Sequence, residues 1–120
     1  MAQEGGGMIR CEHIRITVDG TGAGTVVTPP IIGDIVAVAN PGTALGGTAD
    51  YTLTRRNDGG TVWAAQNAPG PFQYAPVSVL HSGTTVAGTA SGVPSASHLQ
   101  LVVGSATPSA SGDLYLYYRQ

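Results

Sequence analysis

Ile14, Ile16 and Val18 alternate with His13, Arg15, Thr17 and Asp19, a period of two that predicts a strand with one face toward a core. The glycine-rich stretch Asp19-Gly20-Thr21-Gly22-Ala23 follows, then Gly24 to Thr28; the pattern predicts a hairpin between the two strands. Pro29-Pro30 is expected to end the second strand, because neither residue donates to a ladder. Ile31 to Ala39 is nearly continuous in apolar residues, as expected of a central strand covered on both faces. Beyond the Asn40-Pro41-Gly42 turn, Asp50 to Arg56 alternates again, and Asn57-Asp58-Gly59-Gly60 predicts a tight turn into a return strand, Thr61 to Ala65. Asn67 to Pro76 is proline-interrupted and reads as an extended, irregular crossing. Val77 to Leu80, His98 to Val103 and Leu114 to Arg119 read as the last strands, and Gly83 to Ser97 and Gly104 to Gly112 as loops of small residues.

No stretch holds apolar residues at helical spacing over more than two turns, and Gly or Pro interrupts every long segment. The expected fold is therefore all-β: an antiparallel β-sandwich or barrel of about seven or eight short strands with glycine-rich loops. At 120 residues the chain is one domain, residues 8–120, preceded by a flexible N-terminal arm over 1–7 that carries the Gly5-Gly6-Gly7 run.

Charge changes this picture most. Charged residues make up 10% of the chain, against about 25% in an average soluble domain. A free monomer normally carries more surface charge than this, so much of the surface is expected to be covered by neighbouring chains, and homo-oligomerisation is favoured. All five cationic side chains are arginines and the net charge is −2; no basic field is present to hold a phosphate backbone, which argues against nucleic acid as a partner. The N-terminus lacks the pattern of a signal peptide and no run of apolar residues is long enough to span a bilayer, so neither export nor a membrane is expected.

Candidate chemistry is sparse. Cys11, His13 and Arg15 share the polar face of the first strand, which brings a thiol and an imidazole together, but no further motif makes them a nucleophilic pair. No Gly-x-Ser-x-Gly elbow precedes a helix. The glycines at 20, 22 and 24 lead into a strand, not into the helix N-terminus that phosphate-cradling loops require. The acidic residues are scattered singly and offer no calcium loop. No enzyme activity, cofactor, metal or small-molecule substrate is expected. The candidate sites are contact surfaces instead: the closing strand with Tyr115, Tyr117, Tyr118 and Arg119, and the aromatics Trp63, Phe72 and Tyr74 around the proline segment. Tyrosine gives large contact area with a polar tip, which suits an oligomer or partner interface.

The order ITVDGTGAGTVVTPPIIGDIVAVA, ADYTLTRRNDGGTVW, FQYAPVSVLHSGTT and GDLYLYYR resembles small β-structured virion proteins of tailed bacteriophages. The resemblance implies a capsid decoration, or cement, protein: made in the host cytoplasm, carried on the capsid surface of the virion, and stabilising the lattice of the phage major capsid protein. It further implies a homotrimer at threefold positions, with the arm and the segments Gly83 to Ser97 or Gln66 to Pro76 reaching the shell. The alternatives are a ring-forming head-tail connector, neck or tail component, and a host-surface glycan-binding adhesion module.

Overall fold

The computed structural model describes residues 8–68, 70–82 and 85–120, with backbone alone between 77 and 91. The N-terminal arm expected over 1–7 lies outside the described residues. Described residues form strands and turns without helix: β1 (Ile9–Thr17), β2 (Gly24–Asn40), β3 (Asp50–Arg55), β4 (Thr61–Ala65), β5 (Phe72–Tyr74), β6 (Val77–Ser82), β7 (Thr85–Ser91), β8 (Val93–Gly104) and β9 (Ser111–Arg119). The all-β expectation is met. Seven of the described strands form one antiparallel sheet, in line with the number expected, and β2 is long, at 17 residues.

One sheet has the order β1-β9-β2-β8-β3-β4, with β5 added to β2, and β6-β7 forms a separate two-stranded ladder. β2 changes partners along its length. Its first part, Gly24 to Ile35, pairs with β8, whereas Asp34 to Ala39 pairs with β9, and Val38 to Asn40 gains β5 on the other side. The sheet thereby folds into two half-sheets, β1-β9-β2-β5 and β2-β8-β3-β4, that share one core. Ile14, Ile16, Leu114, Leu116 and Val38 enter it from the first, and Leu53, Leu99, Leu101 and Val103 from the second, all at 3% exposure or less.

Pro29-Pro30 does not end β2. The register shifts between Val27 and Pro30, and such a bulge absorbs residues that cannot donate while bending the strand. Thr28 repairs the interrupted ladder. Its Oγ1 accepts the Leu99 N–H at 3.0 Å and donates to the Pro29 carbonyl at 2.7 Å, while its own carbonyl accepts His98 Nδ1–H at 2.8 Å. Buried backbone groups need such partners, and His98 is thereby tied to the fold through one ring nitrogen. A second shift, between Ile35 and Ala37, lies where β9 joins.

The hairpin expected between β1 and β2 is not made. Residues 19–23 do turn, with Asp19 N–H bonded to the Ala23 carbonyl at 2.9 Å and the Asp19 carboxylate accepting from Thr21 and Ala23. Those bonds hold the Asp19 carboxyl below its ordinary pKa. The flanking strands part company, however: β1 pairs with β9 throughout, and β2 starts on β8. The turn crosses from one half-sheet to the other. The second hairpin is as expected, with β3 and β4 paired across residues 57–60 and Asp58 capping Gly60 N–H at 2.8 Å. The loop expected over 83–97 is instead largely strand, β7 and the start of β8, and the crossing over 67–76 contains the short strand β5. Ile31 to Ala39 is central but not covered on both faces, because Ile32 is 53% exposed.

Candidate interaction surfaces

The closing strand β9 lies between β1 and β2, so strict alternation sorts its side chains. Leu114 and Leu116 point into the core, while Tyr115 and Tyr117 stand half-buried on the outer face. Tyr118 packs against the core. Arg119 is half-buried, opposite Ile9 on β1 and Asp34 on β2. Of the strand expected as an interface, Tyr115 and Tyr117 form the outward pair.

On the β1 side, His13 stacks on Tyr115 with centroids 4.7 Å apart and planes 12° from parallel. His13 Nε2 lies 2.8 Å from Asp113, and Arg15 bonds both oxygens of the same carboxylate at 3.1 and 3.2 Å. The His13 contact and then the Arg15 guanidinium hold the Asp113 carboxyl below its usual range. A lowered carboxylate pKa contributes stability above the unfolded value and loses it as pH falls through the folded one. We expect Asp113→Asn to flatten slightly the decline of melting temperature below about pH 4, the ordinary carboxylate range; the group is exposed, so the change is small. Melting curves from neutral to acid pH check this. Cys11 follows on the same face, exposed and opposite Tyr117.

On the β2 side, Ala37 and Ala39 stand opposite Tyr117 and Tyr115, and the small side chain of Ala39 leaves a trough beside the rings. Its far wall comes from Pro41, Pro71 and Gln73. The resulting open groove has a volume of about 520 Å³. Below it, Asn40 is buried and fixes the chain reversal: Oδ1 accepts Gly42 N–H at 3.0 Å, and Nδ2 donates to the Tyr51 hydroxyl at 3.2 Å. Burial pushes the Tyr51 phenol up, an effect the Asn40 bond reduces.

Trp63, Phe72 and Tyr74 do come together. Trp63 lies 5.6 Å from Phe72 and 5.4 Å from Tyr74, and Phe72 meets Tyr51 edge-on at 5.4 Å. The cluster is graded in depth. Trp63 is 7% exposed and belongs to the core, Phe72 covers that core, and Tyr74 alone presents a large face, at 41%.

A surface that sequence reasoning missed lies on the other half-sheet. Val27 and Val102 are 42% and 39% exposed; Val102 stands opposite Thr25 and Thr52, and Gln100 opposite Val27 and Thr54. None of these neighbours carries a charge. Alternation in β8 marked Val102 and Gln100 as one face, but only the pairing of β8 with β2 and β3 assembles the patch. Among the described residues no group of three or more His, Cys, Asp or Glu is placed to hold a metal ion, and no helix is long and apolar enough to cross a membrane.

No family model matches this chain, and no curated protein matches it. A chain in the solved structure of Bacillus endospore appendages, described as disulfide-linked pili, aligns with 99% of this chain and 95% of its own length, at 14% identity and a TM-score of 0.39. A likeness of that degree carries no argument about function.

Proposed function

We propose that this chain is a non-enzymatic structural protein of a virion, a capsid decoration protein whose homotrimer sits on the outer surface of a phage head and stabilises the major capsid protein lattice. The observation that carries this reading is the patch on the outer face of β2, β8 and β3 where Val27 and Val102 stand exposed among Thr25, Thr52, Thr54 and Gln100, none of them charged. Monomeric proteins rarely expose contiguous apolar patches larger than a few hundred Å², and larger ones mark contact surfaces. Repeated around a threefold axis, one heterologous contact between the two sides of such a patch closes a trimer and leaves no open end. The second outward face, with Tyr115, Tyr117 and Arg119, is then free to meet the shell. Several modest contacts per trimer sum to firm attachment once one is made.

Co-sedimentation tests this reading. Purified chain mixed with expanded phage heads that lack it is expected to pellet with the shells to a fixed ratio and to raise their melting temperature. Chain left in the supernatant at saturating shell concentration would contradict the assignment. A ring at the neck or tail would use the same patch; its mass, six or twelve chains, separates it from a trimer.

A further inference from the structure

We propose that the groove between the β9 tyrosines and the Pro41–Pro71 wall binds an extended, uncharged, proline-containing segment of a partner protein. This inference does not rest on the virion reading. It starts from the charge around the groove. None of the side chains that line it is ionisable at neutral pH, and the Asp113 carboxylate beside it is closed on Arg15 and His13. Arg119, two residues beyond Tyr117 on the same strand, lies outside the lining. A sugar would find no free carboxylate for its hydroxyls, because both oxygens of Asp113 are engaged.

What the groove does offer is apolar rings with hydrogen-bond donors at their tips. The hydroxyls of Tyr115 and Tyr117 and the amide of Gln73 bond to no protein group among the described residues. Donors above a proline-and-tyrosine trough suit a chain whose carbonyls are unpaired and whose own N–H groups are few. Polyproline II is such a chain: it has no internal hydrogen bonds, its carbonyls face outward, and its stiffness limits the entropy lost on docking.

The walls are also held before any ligand arrives. β9 is paired on both sides, β5 is laddered to β2 through Val38 to Asn40, and Phe72 is wedged into the aromatic cluster beneath. Preformed sites avoid the ordering cost that weakens most peptide binding.

The test uses the full chain and a fluorescein-labelled decaproline peptide, with a glycine-serine peptide of equal length as control, read by fluorescence anisotropy. Saturable binding of decaproline and not of the control is expected. Tyr117→Ala is expected to weaken it about tenfold or more, as truncation of an interface tyrosine commonly does, and Tyr117→Phe, which keeps the ring, by less. Tyr117 lies on the outer face, so both variants are expected to keep the parent melting temperature. No saturable binding at millimolar peptide, or binding equal in Tyr117→Ala, would overturn the proposal. So would binding of a soluble glucan oligosaccharide that Tyr117→Ala abolishes, since that would make the groove a sugar site.

Discussion

Leu101→Ala is expected to cost about 2–5 kcal/mol, the range for removing a buried leucine and leaving a cavity. Leu101 is fully buried at the middle of β8, with Val26 of β2 on one side and Leu53 of β3 on the other. Both neighbours belong to paired strands, so the backbone cannot collapse into the space. Domains of ordinary stability have about 5–15 kcal/mol in all, and a charge-poor chain has few surface contacts to compensate. Urea denaturation is expected to show a lower midpoint with an unchanged slope. Val102→Ala, one residue along on the outer face, serves as the contrast: its effect on folding is expected to stay within about 1 kcal/mol. Equal losses from the two substitutions would contradict the assignment of inner and outer faces.

Gly22→Ala carries the second large effect. Gly22 has φ of +83°, and a Cβ there would run into the backbone carbonyl of Ala106. Left-handed backbone at a residue other than glycine costs about 1–3 kcal/mol when it persists, and the collision adds to that, since Ala106 N–H is itself bonded to the Gly22 carbonyl at 3.1 Å. The substitution must therefore open the contact between the crossing turn and the 104–110 loop. We expect a fall in melting temperature comparable with that of Leu101→Ala. Gly20→Ala, in the same turn but with open space around it, is expected to change stability by no more than about 0.5 kcal/mol.

The faces of the strands were legible in the sequence; their partners were not. Alternation placed Ile14, Ile16 and Val18 toward the core and His13 and Arg15 on the polar face, because a two-residue period is a property of the strand alone. Pairing is a property of the whole chain. The turn at 19–23 carries a true local signal, yet the strands it joins pair with β9 and β8, from the far end of the sequence. Proline misled in the same way. Pro29-Pro30 is a stop by local rules, and becomes a bulge only because Thr28 and His98 supply the missing bonds.

Small residues concealed strands as well. Thr85–Ser91 and the start of β8 are built from Thr, Ala, Ser, Gly, Val and Pro, and they read as loop because β-propensity registers bulky side chains. Their strand character comes from partners: Val93 to Ser97 lies against Ile31 to Ile35. The tyrosine pair was visible from alternation. The groove beside it was not, since its far wall depends on β5 joining β2 and on Asn40 fixing the turn at Gly42.

The native mass of the purified chain, measured by light scattering across a tenfold dilution, tests the structural-assembly reading most directly. The exposed Val27 and Val102 face is expected to hold three chains together, giving a dilution-independent mass three times the 12.1 kDa of one chain. Val102→Arg is expected to reduce that mass to a single chain while leaving the fold intact, because a charge buried in an apolar contact has no partner. A wild-type chain that runs as a monomer at every concentration would contradict the account.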